Sequence, residues 1–155
     1  MKSARQDRCY LAAGLLLTLS EIWKQLTLTF AVGGGSYQWS FIPFQLCSVP
    51  MYICLLIYAF RKTRFKRMGM MFLSDYSLMS GAAAFLDTSG MHYELPLLTL
   101  HSYLWHISII VIGICSGIAL GRRKLKEYAA PAGIFLAGCG IAELINLSFD
   151  RFGVV

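Results

Sequence analysis

Apolar residues run along this chain in long, almost unbroken stretches, separated by short segments that hold most of the charge. Five stretches stand out: about 10–32, 40–60, 68–86, 97–120 and 128–148. A bilayer core about 30 Å thick takes roughly 20 apolar residues as helix. Helix is the expected form, because lipid offers backbone N–H and C=O groups no partner but each other. The period-2 alternation of a membrane β-barrel is absent. The pattern predicts an all-α fold: a polytopic bundle of about five transmembrane helices, forming a single transmembrane helical domain over residues 1–155. The first stretch follows Lys2, Arg5 and Arg8, as a signal peptide would. It is too long for an h-region and carries Glu21, Trp23 and Lys24, so it reads as a span.

Local signals fill in the bundle. Gly33, Gly34 and Gly35 end the first span as a flexible turn. They lack the strand and the Lys-Ser/Thr of a phosphate loop. Pro43 suits the first turn of the second span. Pro50 would fall inside that helix and kink it, freeing a carbonyl near Leu46. Gly81, Ala82, Ala83 and Ala84 form a small-residue surface that lets helices approach closely.

Composition agrees: 57% of residues are hydrophobic and 14% charged, too little polar surface for a soluble domain of this size. The charge also sets an orientation. Basic residues cluster at the N-terminus, in Arg61, Lys62, Arg64, Lys66 and Arg67, and in Arg122, Arg123, Lys124 and Lys126. The intervening loops, 33–39 and 87–96, have no Lys or Arg. By the positive-inside rule the N-terminus and both basic loops are cytoplasmic and the C-terminus is outside. The basic residues then meet anionic headgroups, and nucleic acid is not a partner. The five cysteines lie in or beside apolar runs with no CxxC, so no disulfide framework or zinc site is expected.

Ionisable groups inside membrane spans are costly and mark either function or internal pairs. The first span has Glu21 and Lys24 on one face, beside Trp23. The second has Gln45 and Cys47, the third Asp75, the fourth His101 and His106, the fifth Glu143 followed by Asn146. At about 1.5 Å per residue from the outer ends, Lys24, Glu21, Cys47, His106 and Glu143 lie roughly 8–16 Å deep. Four helices thus bring polar groups to one level, as a shared pocket requires. Each also has a plainer reading. Glu21 and Lys24 fit an internal ion pair, Glu143 and Asn146 a packing hydrogen bond, and Asp75 a local contact with Ser74 or Tyr76. His101 and His106 lie about 140° apart around the helix. His106, the deeper, is preferred for the pocket. Cys47 becomes a nucleophile only with a base or positive charge nearby, which His106 can supply, oriented by Glu21 or Glu143.

The order of three segments resembles the YwaF-like family of small integral membrane proteins. They are Ser20-Glu21-Ile22-Trp23-Lys24, Ile42-Pro43-Phe44-Gln45-Leu46-Cys47-Ser48 and Tyr103-Leu104-Trp105-His106. The second is similar to the family's L-P-x-H-x-C motif, with Gln45 where the family usually has His. The vertebrate relatives include a transmembrane acyltransferase that builds polyunsaturated ether phospholipids through a cysteine acyl-enzyme. The resemblance therefore implies Cys47 as nucleophile and His106 as base, in a bacterial plasma-membrane protein. Family members usually carry further transmembrane helices. The chain is thus open to being a minimal version, a truncated one or half of an assembly.

Two functions compete at this stage. One is a membrane-embedded lipid acyltransferase with a Cys–His site in the outer half of the bundle. It would act on membrane lipids and need no cofactor or metal. The other is a non-catalytic lipid-binding or small transporter-like protein, for which a homo-oligomer would supply the second half an alternating-access device needs.

Overall fold

The computed structural model describes residues 2–37 and 39–151. All its regular elements are helical. Helix α1 spans Lys2–Thr27 and runs on as a π-helical turn, Leu28–Val32. A short 3-10 turn, Trp39–Phe41, precedes α2, Val49–Ala59. Helix α3, Arg64–Phe72, a π-turn at Leu73–Ser77 and α4, Leu78–Leu86, follow one another without a break. Then come a 3-10 turn at Ser89–Met91 and α5, Pro96–Leu120. A further 3-10 turn, Leu125–Tyr128, leads into α6, Ala129–Arg151.

The outward faces of these helices are apolar, unlike those of a water-soluble bundle. On α5 the buried side includes Ser102, His106, Gly113 and Ser116. Its exposed side is Leu100, Leu104, Ile107, Val111, Ile114 and Ile118, spaced alternately four and three residues apart. Helix α6 exposes Leu136, Ile141, Leu144 and Leu147. Contiguous apolar stripes of this kind belong against lipid, not water. Two helical segments, Pro96–Leu120 and Leu125–Ile145, are long and apolar enough to cross a membrane. The polar residues carried by α1 and by the 64–86 rod lower their hydropathy, and many of these are paired inside the protein.

The second expected span differs from the sequence reading. Residues 42–48 are not helical, and α2 begins only at Val49, with Pro50 in its first turn. Pro50 therefore starts a helix where a kink was expected. A proline ring clashes with the carbonyl four residues back, so a helix running through Leu46 would be strained. Starting at Val49 removes that conflict and places the missing N–H where none is needed.

Two glycines set helix spacing. A Cβ on Gly113 would lie 2.8 Å from the Leu73 carbonyl oxygen, so α5 presses directly on the π-turn. A Cβ on Gly81 would lie 2.7 Å from Ile110 Cγ1 and 3.2 Å from the His106 carbonyl oxygen. Close approach at the Gly81 segment thus fixes the height of His106. The main core gathers Ile53, Cys54, Ile57, Met70, Met71, Phe72 and Leu73. Ion pairs join the basic end: Lys66 to Asp7, Arg67 to Glu127, and Arg123 to Asp75. Asp75 also accepts from Ser74 Oγ at 2.9 Å, so its local partner is one of two.

Candidate functional site

The non-helical segment 42–48 exposes backbone that a helix would have satisfied, and side chains take up two of its carbonyls and that of Phe41 just before it. Gln25 Nε2 donates to the Phe41 carbonyl at 2.7 Å. The Tyr52 hydroxyl donates to the Pro43 carbonyl at 3.0 Å. Trp105 Nε1 donates to the Cys47 carbonyl at 3.0 Å. Irregular backbone is tolerated at membrane depth where it is buried in protein or lines a cavity. This segment meets that condition, and it hands Gln45, Cys47 and Ser48 to a cavity of about 190 Å³.

Lys24, Gln45, Cys47 and His106 all line this one cavity. Glu21 stands behind it, 3% exposed. Its Oε1 accepts from Lys24 Nζ at 2.8 Å and from Gln25 Nε2 at 2.7 Å. Glu21 thus holds both the cavity's cation and the side chain that supports Phe41. Its Oε2 is buried with no partner. The internal ion pair and the pocket, posed as alternatives by the sequence, coexist.

His106 Nδ1 lies 2.8 Å from the Ser102 carbonyl oxygen. A carbonyl only accepts, so Nδ1 carries the hydrogen and Nε2 of the neutral ring keeps the lone pair. The imidazole is therefore in the tautomer a base requires. Cys47 Sγ donates to Gln45 Oε1 at 3.7 Å. Among the described residues no hydrogen bond joins Cys47 to His106.

Other expected members fall outside. Glu143 is exposed on α6 and does not face the cavity, a correction to the shared-pocket reading. The reason is the seating of α6. It packs against the 64–86 rod, with Phe135 stacked on Tyr76 at 4.7 Å. It also presents Gly138, Cys139 and Ala142 to Phe44 and Val49 across a narrow groove. Counting residues along the span does not fix the rotation of α6, and rotation turns Glu143 away from the cavity. The Asn146 side chain lies outside the described residues. Trp23 is partly exposed and lines a neighbouring groove instead, its ring 5.4 Å from that of His101.

That groove, about 390 Å³, lies between α1 and α5 and is walled largely by leucines, among them Leu16, Leu97, Leu100 and Leu104. His101 and Trp105 line both the groove and the polar cavity. His101 was set aside on helical geometry, and that angle is correct. The cavity, however, covers a wide arc of α5: Trp105 and Ser102 lie between the two histidines at about 40° and 100° on the same wheel. His101 Nε2 is 2.6 Å from Ser20 Oγ, and its Nδ1 is buried without a partner.

Two loop residues of the cavity, Asp87 and Tyr93, were visible in the sequence only as part of a loop without basic charge. Hydrogen bonds from Ser89, side chain first and then backbone, hold the Asp87 carboxyl below the usual carboxylate range. Burial pushes the Tyr93 phenol up, so it stays a neutral donor. No three His, Cys, Asp or Glu side chains gather as a metal site would require, among the described residues.

No curated protein and no solved structure matches the chain. The profile of the TMEM164 family matches residues 1–151, almost the entire sequence. On that match, together with the lipid-facing apolar helices, the chain belongs to the TMEM164 family of membrane proteins.

Proposed function

We propose that the protein is a membrane-embedded lipid acyltransferase, with Cys47 as nucleophile and His106 as base. The observation that carries this reading is the joint lining of one polar cavity by Cys47, His106 and Lys24, beside an apolar groove that shares His101 and Trp105 with it. Five spans, a cytoplasmic N-terminus, a multi-pass place in a bacterial plasma membrane and YwaF-like kinship belong to the same reading.

His106 Nε2 takes the thiol proton, and the Cys47 sulfur attacks an ester carbonyl of a donor phospholipid. The C–S bond forms, the acyl C–O bond breaks, and the departing lysolipid oxygen receives the proton from His106. In the second half an acceptor hydroxyl gives its proton to His106. The acceptor's oxygen attacks the thioester carbonyl, the new C–O bond forms as the C–S bond breaks, and His106 returns the proton to the Cys47 sulfur. Lys24 meets the lipid phosphate, while the groove between α1 and α5 accommodates an acyl chain.

A second reading is lipid binding without chemistry. It is favoured by the Cys47 hydrogen bond, which runs to Gln45 and not to His106. Catalytic hydrogen bonds are often long before substrate arrives, so this does not remove the first reading. One experiment separates the two. The protein is incubated in nanodiscs with a phospholipid bearing an isotope-labelled acyl chain, and its intact mass is measured. Acylation predicts one added chain, released by hydroxylamine and absent in Cys47→Ser and His106→Ala. A lipid that co-purifies but leaves no covalent adduct would leave binding alone.

A further inference from the structure

A second cavity, about 520 Å³, lies at the opposite, basic end of the bundle. It is lined by the charged side chains of Arg64, Arg67, Lys126 and Glu127 and by the apolar side chains of Met68, Met71, Ala129 and Ala130, of which Met71 is fully buried. We propose that this cleft binds the headgroup of one anionic phospholipid.

Charge carries the argument. Arg67 is already committed: its Nε and Nη2 grip the two oxygens of Glu127 at 2.8 and 3.0 Å, and Nη2 also donates to the Arg122 carbonyl at 3.0 Å. This fork fastens the Leu125–Tyr128 turn to α3 and shapes the cleft. Arg64 and Lys126 have no ion-pair or hydrogen-bond partner among the described residues. The cleft therefore offers two uncommitted cations around one neutralised pair. A phosphodiester, with its single negative charge and two free oxygens, complements two such donors.

The apolar part of the lining decides in favour of a lipid. Methionine and alanine in the same cleft as the cations suit the first carbons of acyl chains, and a soluble phosphate ester gains nothing from them. The cleft also adjoins α6, whose Leu136 is 67% exposed on the apolar outer face. Its volume falls within the roughly 300–1,000 Å³ of ordinary ligand pockets. Basic pockets between helices on the cytoplasmic side are a recognised form of anionic-lipid site, and the positive-inside orientation puts this cleft in that leaflet.

The test uses the full chain in detergent, with native mass spectrometry and thermal melting as readouts. Three probes are compared: dioleoyl phosphatidylglycerol, dioleoyl phosphatidylcholine and glycerol 3-phosphate. Phosphatidylglycerol should be retained as one tightly bound molecule and raise the melting temperature, while the other two do neither. Arg64→Gln with Lys126→Gln should weaken phosphatidylglycerol by roughly tenfold or more. The same charge removed elsewhere, by Arg5→Gln with Lys62→Gln, should leave binding intact. Lys126→Gln alone should give an intermediate loss, which keeps the test available if the double variant folds poorly. Equal response to phosphatidylcholine, equal loss in both double variants, or equal binding of glycerol 3-phosphate would each overturn the proposal.

Discussion

The indole N–H of Trp105 donates to the carbonyl oxygen of Cys47 at 3.0 Å, tying the residue that brings a thiol to the polar cavity to the helix that carries His106. The bond spans 58 residues of sequence and caps a backbone group that no helix satisfies. Trp105→Phe keeps most of the ring but removes the donor. A buried carbonyl left unpaired costs about 1–3 kcal/mol. The variant should melt lower in detergent with its helical circular dichroism unchanged. An unaltered melting temperature would show that water replaces the indole there.

Gly81 and Gly138 should respond to alanine with opposite signs. At Gly81 the new methyl would sit 2.7 Å from Ile110 and 3.2 Å from the backbone of His106. Overpacking of this kind costs about 1–3 kcal/mol and should displace His106. Gly138 has nothing within 4 Å of the added carbon. There alanine gains about 0.5–1 kcal/mol of helix propensity. Paired melting curves check both signs, and destabilisation by Gly138→Ala would mean that another surface covers α6.

The sequence made the bundle legible because its apolar runs approach bilayer length and its basic loops alternate. It failed at residues 42–48, where the chain is not helical although the apolar run continues through them. Only the paired prolines, Pro43 and Pro50, hinted at this, and each alone is compatible with a helix start or a kink. Lys24 and His106 sit on helices and do share a cavity with Gln45 and Cys47, but the helical rise used to place Cys47 does not apply to the non-helical segment that carries it. Glu143 was misassigned because depth does not fix rotation, which depends on how α6 seats against Tyr76 and Phe44. Asp87 and Tyr93 reach the cavity from a loop, whose path no periodicity encodes. The buried, unpartnered Nδ1 of His101 became visible only once the rings of Trp23 and Trp105 were placed next to the imidazole.

Acid should loosen the fork between Arg67 and Glu127. Arg67, beside Glu127, holds that carboxyl at about 2, down from 4.5. A depressed carboxylate contributes stability that is complete above its unfolded pKa and lost as pH falls through the folded value. The window therefore runs from about 4.5 down to about 2. The pair lies at the surface, with Arg67 exposed and Glu127 half-buried, so the effect is modest and screened by salt. Glu127→Gln should melt lower than wild type at neutral pH and show a flatter decline across the window. Identical pH profiles for the two proteins would mean that the Arg67–Glu127 fork contributes nothing to stability.

Cys47 should react with a lipid-like electrophile before Cys54. Had residues 40–60 formed one helix, the two thiols, seven residues apart, would lie within about 20° of one face. Orientation would not have separated them. Because α2 starts at Val49, Cys47 is outside the helix and lines the polar cavity, while Cys54 is 0% exposed within the main core. A thiol in apolar surroundings is inert, whereas one near a lysine and an imidazole can reach the thiolate form. An alkyl maleimide followed by peptide mapping should therefore modify Cys47 first. His106→Gln should slow that labelling while leaving Cys115, exposed on the lipid-facing side of α5, unaffected. Equal rates at Cys47 and Cys54 would contradict the burial difference. Unchanged Cys47 labelling in His106→Gln would separate the imidazole from the thiol and shift the balance toward lipid binding without chemistry.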